Sequence, residues 1–268
     1  MIVHFSKYHG AGNDFVMIDA REQDITYLNN HIIYEICNRR FGIGSDGLII
    51  LKEGEQSDFK MQYFNADGFE GTMCGNGGRC ITAFAHSLKI IGLETTFEGI
   101  DGKHSASILP NGEIRLKLKN VDGFRRIEEG YLLDTGSPHC VIFVPQLEQI
   151  DVEKQGREIR YQSRFGKGGV NVNFVTQEGS SDKITVRTYE RGVEAETYAC
   201  GTGVAAAAIS SYLHFRSGIS SYSVNTRGGE LNVSFNARHR DQFHDIYLTG
   251  PAVHVYDGTL EVKSDQSS

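Results

Sequence analysis

Proline, cysteine and clustered basic side chains are all scarce in this 268-residue chain, which has 4 prolines, 5 cysteines and no Lys/Arg run. Set against 31 glycines, so few prolines suit a globular protein with many tight turns, and 39% hydrophobic with 23% charged residues argues against disorder. A net charge of -7 without a basic patch argues against a nucleic-acid or acidic-membrane partner. No apolar run approaches a membrane span, and Met1 to Lys7 has neither the basic start nor the apolar core of a signal peptide, so a cytoplasmic protein is expected. The cysteines, at 37, 74, 80, 140 and 200, are odd in number and lack disulfide-framework spacing, so reduced thiols are expected. Cys74 and Cys80 are too far apart for a CxxC redox or zinc pair.

Two stretches organise what is present. Cys74-Gly75-Asn76-Gly77-Gly78 precedes apolar residues at helical spacing (Ile81, Phe84, Leu88, Ile91), and Cys200-Gly201-Thr202-Gly203 precedes Val204 to Ile209. Each cysteine therefore sits at a predicted helix N-terminus, where unpaired N–H groups and the helix dipole favour a thiolate and can hold a carboxylate. Two such units, nearly half a chain apart, predict two similar halves presenting their helix tips to a shared cleft.

Along the chain, strands are predicted at Ile2–Tyr8 and Phe15–Asp19 around a Gly10–Asp14 loop, then a helix at Leu28–Arg40 ending at Gly42. Gly42 to Gly47 matches GxGxxG, but it follows a helix and precedes a strand, the reverse of the dinucleotide fingerprint's context, and reads as a connecting turn. Strands follow at 48–52, 58–64, 94–98, 104–109 and 113–118, a charged connection at Val121–Glu129, and strands at 131–134 and 140–144. A polar helix is expected over Val152–Arg164, strands at 171–176 and 183–189, a hairpin from 222–225 and 230–235, strands at 245–249 and 253–256, and a frayed end at Glu261–Ser268.

A lone cysteine usually packs as a small hydrophobe, and Cys37, Cys80 and Cys140 are read so. Cys74 and Cys200 differ through their glycine-rich, helix-opening contexts.

Six blocks carry a resemblance over nearly the whole chain: Lys7–Phe15, Arg40–Gly47, Phe64–Cys80, Thr135–Val141, Asn171–Phe174 and Thr188–Gly203. In these the chain resembles the diaminopimelate epimerase family, cofactor-independent amino-acid epimerases of lysine and peptidoglycan precursor biosynthesis. The resemblance implies an α+β fold of two pseudo-symmetric domains, each a mostly antiparallel sheet or barrel around a central helix, with the active site between them. Residues 1–122 would carry Cys74 and 123–268 would carry Cys200, the last strand being free to return to the first half.

By the same resemblance Cys74 and Cys200 are the acid/base pair, and His139 and Glu190 support the thiols. Asn13, Asn65, Gly75, Asn76, Asn171, Glu190, Arg191, Gly201 and Thr202 bind the amino-acid substrate, with Arg191 on its distal carboxylate. No cofactor or metal is implied, and a homodimer is. By themselves these residues read more plainly, the asparagines as turn or strand-end packing, Glu190 and Arg191 as a surface ion pair, and His139 as a structural histidine. Ser137 stands where asparagine is common in the family, Gly47 where some members have glutamine, and the Glu190–Cys200 interval is one residue longer than in some. The alternatives are a related two-cysteine racemase acting on proline, hydroxyproline or histidine, or a thiol redox or metal-binding protein using Cys74, Cys200 and His139.

Overall fold

A computed structural model of the chain describes residues 1–72, 74–177, 182–239 and 241–262. The order is β1 (Ile2–Gly10), β2 (Asn13–Asp19), α1 (Asn30–Cys37), β3 (Gly47–Lys52), β4 (Phe59–Asn65), α2 (Gly75–Ser87), β5 (Glu94–Gly99), β6 (Gly102–Ile108) and β7 (Ile114–Lys117). There follow β8 (Val121–Asp122), β9 (Arg125–Ile127), β10 (Gly130–Asp134), β11 (Pro138–Phe143), α3 (Val152–Arg160), β12 (Asn171–Gln177) and β13 (Lys183–Glu190). Last come β14 (Ala195–Thr197), α4 (Gly201–Phe215), β15 (Ser221–Thr226), β16 (Gly229–His239), β17 (Gln242–Gly250) and β18 (Val253–Glu261). The architecture is mixed α+β and dominated by sheet.

The chain divides into two compact units, Met1–Leu116 with the segment beginning at Pro251, and Lys117–Gly250. The division thus falls six residues before the expected 122/123 boundary, and β18 pairs with β1 in the first unit. Each unit repeats one pairing pattern. In the first, β1–β2 is antiparallel, β2–β3 parallel, β3–β4 antiparallel, β4–β5 parallel and β5–β6 antiparallel. In the second, β10–β11, β12–β13 and β15–β16 are antiparallel, and β11–β12 and β13–β15 are parallel. A parallel pair needs a crossover, and these four carry α1, α2, α3 and α4.

The runs Phe15–Ile18 and Leu48–Leu51 are buried at every residue because the sheet is covered on both faces. Val16, Ile18, Leu48 and Ile50 meet Ile32, Ile33 and Ile36 of α1, while α2 packs on β1, β2, β3 and β6. In the second unit α3 covers Val172, Phe174 and Tyr189. The opposite helix, α4, lies against β10 to β13 and β15 to β17, with Val204 to Ile209 all fully buried. Four consecutive alanines let strands approach this helix on every side.

Several expectations are corrected. The strands of the first hairpin run on to Gly10 and resume at Asn13, leaving the two-residue turn Ala11-Gly12 with φ of 53° and 82°. The first helix is shorter at both ends, because the Asn29 side chain caps it by accepting from Ile32 N and Asn38 leaves it in extended backbone. Helix α3 stops at Arg160, and Ser163–Phe165 is a separate 3-10 turn. The charged connection contains β8 and β9, and β14 escaped the sequence reading. Glu261 ends β18 rather than fraying, and residues 263–268 of the expected frayed end lie outside the described residues, as does Met73.

Ala206→Leu is expected to overpack α4 and lower the unfolding free energy by about 1 to 3 kcal/mol, measured by urea denaturation.

Candidate active site

Cys74 and Cys200 occupy the N-cap positions of α2 and α4, each in extended backbone, and neither side chain hydrogen-bonds its own helix as a cap. The first intrahelical bonds are Gly78 N to Cys74 O and Val204 N to Cys200 O, at 2.7 and 2.8 Å. Neither first turn contains an acidic side chain. The positive end of each dipole therefore remains available to an anion.

In the first unit Asn13, Gly75 and Asn76 come together with Cys74. The carboxylate of Asp46 only accepts, so it takes the Asn13 amide NH2 at 2.7 Å and turns Asn13 Oδ1 inward. That oxygen lies 3.7 Å from Cys74 Sγ and accepts from Asn76 Nδ2 at 3.2 Å. Asn76 is oriented in turn by Arg79, whose Nη2 donates to its Oδ1 at 2.9 Å. Asp46 is held by Arg39, which also binds Asp14 beside Lys7. Burial pushes the Asp14 carboxyl up, but hydrogen bonds from Arg39 and Lys7 outweigh it and hold it at about 2. Asn65, at the end of β4, is exposed and accepts from the Tyr63 hydroxyl at 2.9 Å. A Cβ on Gly47 would come within 2.6 Å of both Phe64 O and the Tyr63 ring, so this backbone leaves no room there for a side chain.

In the second unit Cys200 Sγ lies 3.6 Å from Thr202 Oγ1, which lies 3.0 Å from His139 Nε2. The imidazole tautomer follows from the partners. Asn173 must turn its NH2 toward the Cys140 carbonyl, at 3.3 Å, and the same NH2 donates to His139 Nδ1 at 3.1 Å, while its Oδ1 accepts from Thr188. The imidazole proton is therefore on Nε2, facing the hydroxyls of Thr202 and Ser137, each 3.0 Å away. Burial, with Arg191 second, pushes His139 down to about 3, so it stays neutral. Once Thr202 Oγ1 accepts from Nε2–H, its own hydrogen can go to the sulfur at 3.6 Å, which favours a thiolate, or to Ser137 Oγ at 3.3 Å. A Cβ on Gly203 would fall 2.3 Å from Asn173 Oδ1, so only glycine lets this network reach α4.

Asn171 joins the cluster by donating to Ser137 Oγ at 3.2 Å and accepting from Arg191 N at 2.8 Å. Ser137 thus serves the imidazole and Asn171 together. Arg191 is exposed, and the ion pairs around it, Arg160–Glu194 and Arg187–Glu196, leave it out. Glu190 is half-buried at the end of β13, its carbonyl accepting from Glu194 N. The longer interval is braced by Glu194, at φ 60°, whose carboxylate accepts from Arg160, Tyr161, Tyr189 and Gly192 N. Cys37, Cys80 and Cys140 are buried, and burial pushes all three thiols up, the latter two to about 12.

Asp46, Arg79, Asn173, Thr188 and Glu194 were not singled out from the sequence. Asn173 carried a signal, since it follows Asn171 by two residues and shares its strand face. Among the described residues no group of three or more His, Cys, Asp or Glu side chains could hold a metal ion.

A family model described as diaminopimelate epimerase matches residues 5–124 and 131–255. A diaminopimelate epimerase of Flavobacterium psychrophilum is 47% identical over 254 residues, covering 95% of this chain and 98% of that protein. That of Chlorobaculum tepidum is 43% identical, covering 94% and 98%. Among solved structures, a Bacillus anthracis protein of the phenazine biosynthesis PhzF family superposes with a TM-score of 0.77 at 14% identity, covering 98% of this chain and 100% of that one. A hydroxyproline epimerase from Agrobacterium vitis gives 0.70 at 14%, covering 99% and 94%. At such identities these two structures speak for the fold alone.

Stability should fall as pH drops below about 6.5, the ordinary histidine value, because the unfolded chain then binds a proton that folded His139 refuses down to about 3. Urea midpoints measured from pH 7 to 5.5, above the range where depressed carboxylates such as Glu194 add their own slope, should show this trend, and His139→Asn should reduce it, with His214, also pushed down by burial and by Arg126, still contributing.

Proposed function

Because the chain belongs to the diaminopimelate epimerase family, we propose that Cys74 and Cys200 are the two bases of a cofactor-independent epimerisation between the LL and meso forms of diaminopimelate. The observation that carries the reading is the paired placement of both cysteines as N-caps of acid-free helices. Inversion requires a proton to leave one face of the α-carbon and another to arrive on the opposite face. One thiolate takes the α-proton and becomes a thiol, and the other thiol gives its proton and becomes a thiolate. Each turnover exchanges the protonation of the two sulfurs without net change.

The α-proton is very weakly acidic, so the developing carbanion needs fixed positive potential. The N–H groups at Gly75-Asn76 and Gly201-Thr202 supply it by holding the α-carboxylate. The His139–Thr202 pair supports the Cys200 thiolate, and Glu190 supports the thiols. Asn13, Asn65, Asn76 and Asn171 bind the substrate's polar groups, and exposed Arg191, left out of the ion pairs around it, takes the distal carboxylate with its bidentate fork. A cytoplasmic homodimer completes the reading. No helix of the described residues is long and apolar enough to cross a membrane.

Incubation with LL-diaminopimelate in deuterated water should give the meso isomer with deuterium at one α-carbon, and exchange confined to proline or histidine would favour the related racemases. Cys74→Ala and Cys200→Ala should each abolish epimerisation while circular dichroism stays native. Arg191→Ala should raise KM, since the distal carboxylate would lose its bidentate partner, whereas unchanged binding would remove Arg191 from the site.

A further inference from the structure

Among the described residues Arg79 is the largest fully buried side chain, at 0% exposure. A buried charge ordinarily has an opposite charge against it. The hydrogen bonds of Arg79 go elsewhere: Nη1 to Gly75 O at 3.3 Å, Nη2 to Asn76 Oδ1 at 2.9 Å and Nε to Pro251 O at 3.4 Å. All three acceptors are neutral, and no ion pair among the described residues includes it. A guanidinium does not escape by losing its proton. Space for it is made on purpose, for a Cβ on Gly10 would lie 3.3 Å from Nη2.

The side chain folds back toward the start of α2, as helical side chains do, so its charge sits at the first turn beside Cys74. Two sulfurs feel that charge, Cys80 and Cys74. Cys80 is fully buried and its thiol is pushed up to about 12, so it stays protonated. Cys74 is half-buried at the helix start. We propose that Arg79 is an electrostatic positioning residue whose charge is the counter-charge for the Cys74 thiolate. Arg79 acts on the sulfur through its field.

Its opponent is Asn13 Oδ1, an acceptor 3.7 Å from Cys74 Sγ that suits the protonated thiol. For a sulfur that must alternate between thiol and thiolate, Asn13 favours the first state and Arg79 the second. The other charges near this end of the helix are Asp14, neutralised by Lys7 and Arg39, Asp46, paired with Arg39, and Glu113, whose field reaches Arg79.

The proposal rests on the two-base reading, but its test reads ionisation rather than turnover, so either can fail alone. The rate of iodoacetamide alkylation is followed from pH 5 to 10 by mass spectrometry of the Cys74 and Cys200 peptides. In the wild type the Cys74 midpoint should lie below the free-thiol value of about 8.5, and a midpoint at or above it overturns the proposal. Arg79→Gln, which keeps donors but loses the charge, should raise that midpoint by about one unit, a tenfold loss of thiolate at neutral pH, with the Cys200 midpoint unmoved. Arg79→Lys, which keeps the charge, should stay close to wild type and serves alone if the glutamine variant does not fold. A folded glutamine variant with an unchanged Cys74 midpoint, a lysine variant shifted by a full unit, or equal shifts at both cysteines would each refute the role.

Discussion

A helix enclosed by its own sheet begins with peptide N–H groups that no residue of the helix can satisfy, and both units are arranged around that constraint. The usual remedy is a serine, threonine, asparagine or aspartate cap, and α1 and α3 use it through Asn29 and Asp151. The two enclosed helices, α2 and α4, have cysteine there instead, with glycine-rich first turns free of acidic residues. A helix start without a side-chain cap or an acidic neighbour suits a thiolate or a bound carboxylate.

The repeat stops at the level of the backbone. Around Cys74 the partners are amides locked by charges, with Asp46 fixing Asn13 and Arg79 fixing Asn76. Around Cys200 they are a hydroxyl and a neutral imidazole, locked by Asn173 and Thr188. Each network settles the direction of its hydrogen bonds by ending on a group that can act only one way: a carboxylate and a guanidinium in one unit, a peptide carbonyl in the other. Preorganised dipoles of this kind need no reorientation when charge develops.

Much of the architecture was legible in local patterns. Buried runs such as Leu48–Leu51 read as strands because covered faces demand apolar residues at every position. Helix ends were less legible, since Asn29 and Asn38 set them by side-chain bonds that periodicity does not register. The Gly42–Gly47 segment was read correctly as a turn because its context, helix before and strand after, was already visible. Asp46, at that turn's end, was passed over because an acidic residue in a loop has no distinguishing pattern until its partner is known.

By itself the sequence determined that two cysteines open two helices, that the chain has two similar halves, and which family's blocks it carries. The helix starts and the blocks are properties of residues within a few turns of one another, and their recurrence along the chain is what pointed to two halves. The tertiary structure alone decided which proton His139 carries, which way Asn13 and Asn76 face, and that Arg79 lies buried among neutral acceptors. The reason is distance along the chain: Asn13 meets Asp46 33 residues on, and His139 meets Thr202 63 residues on, through strand registers that no local preference specifies.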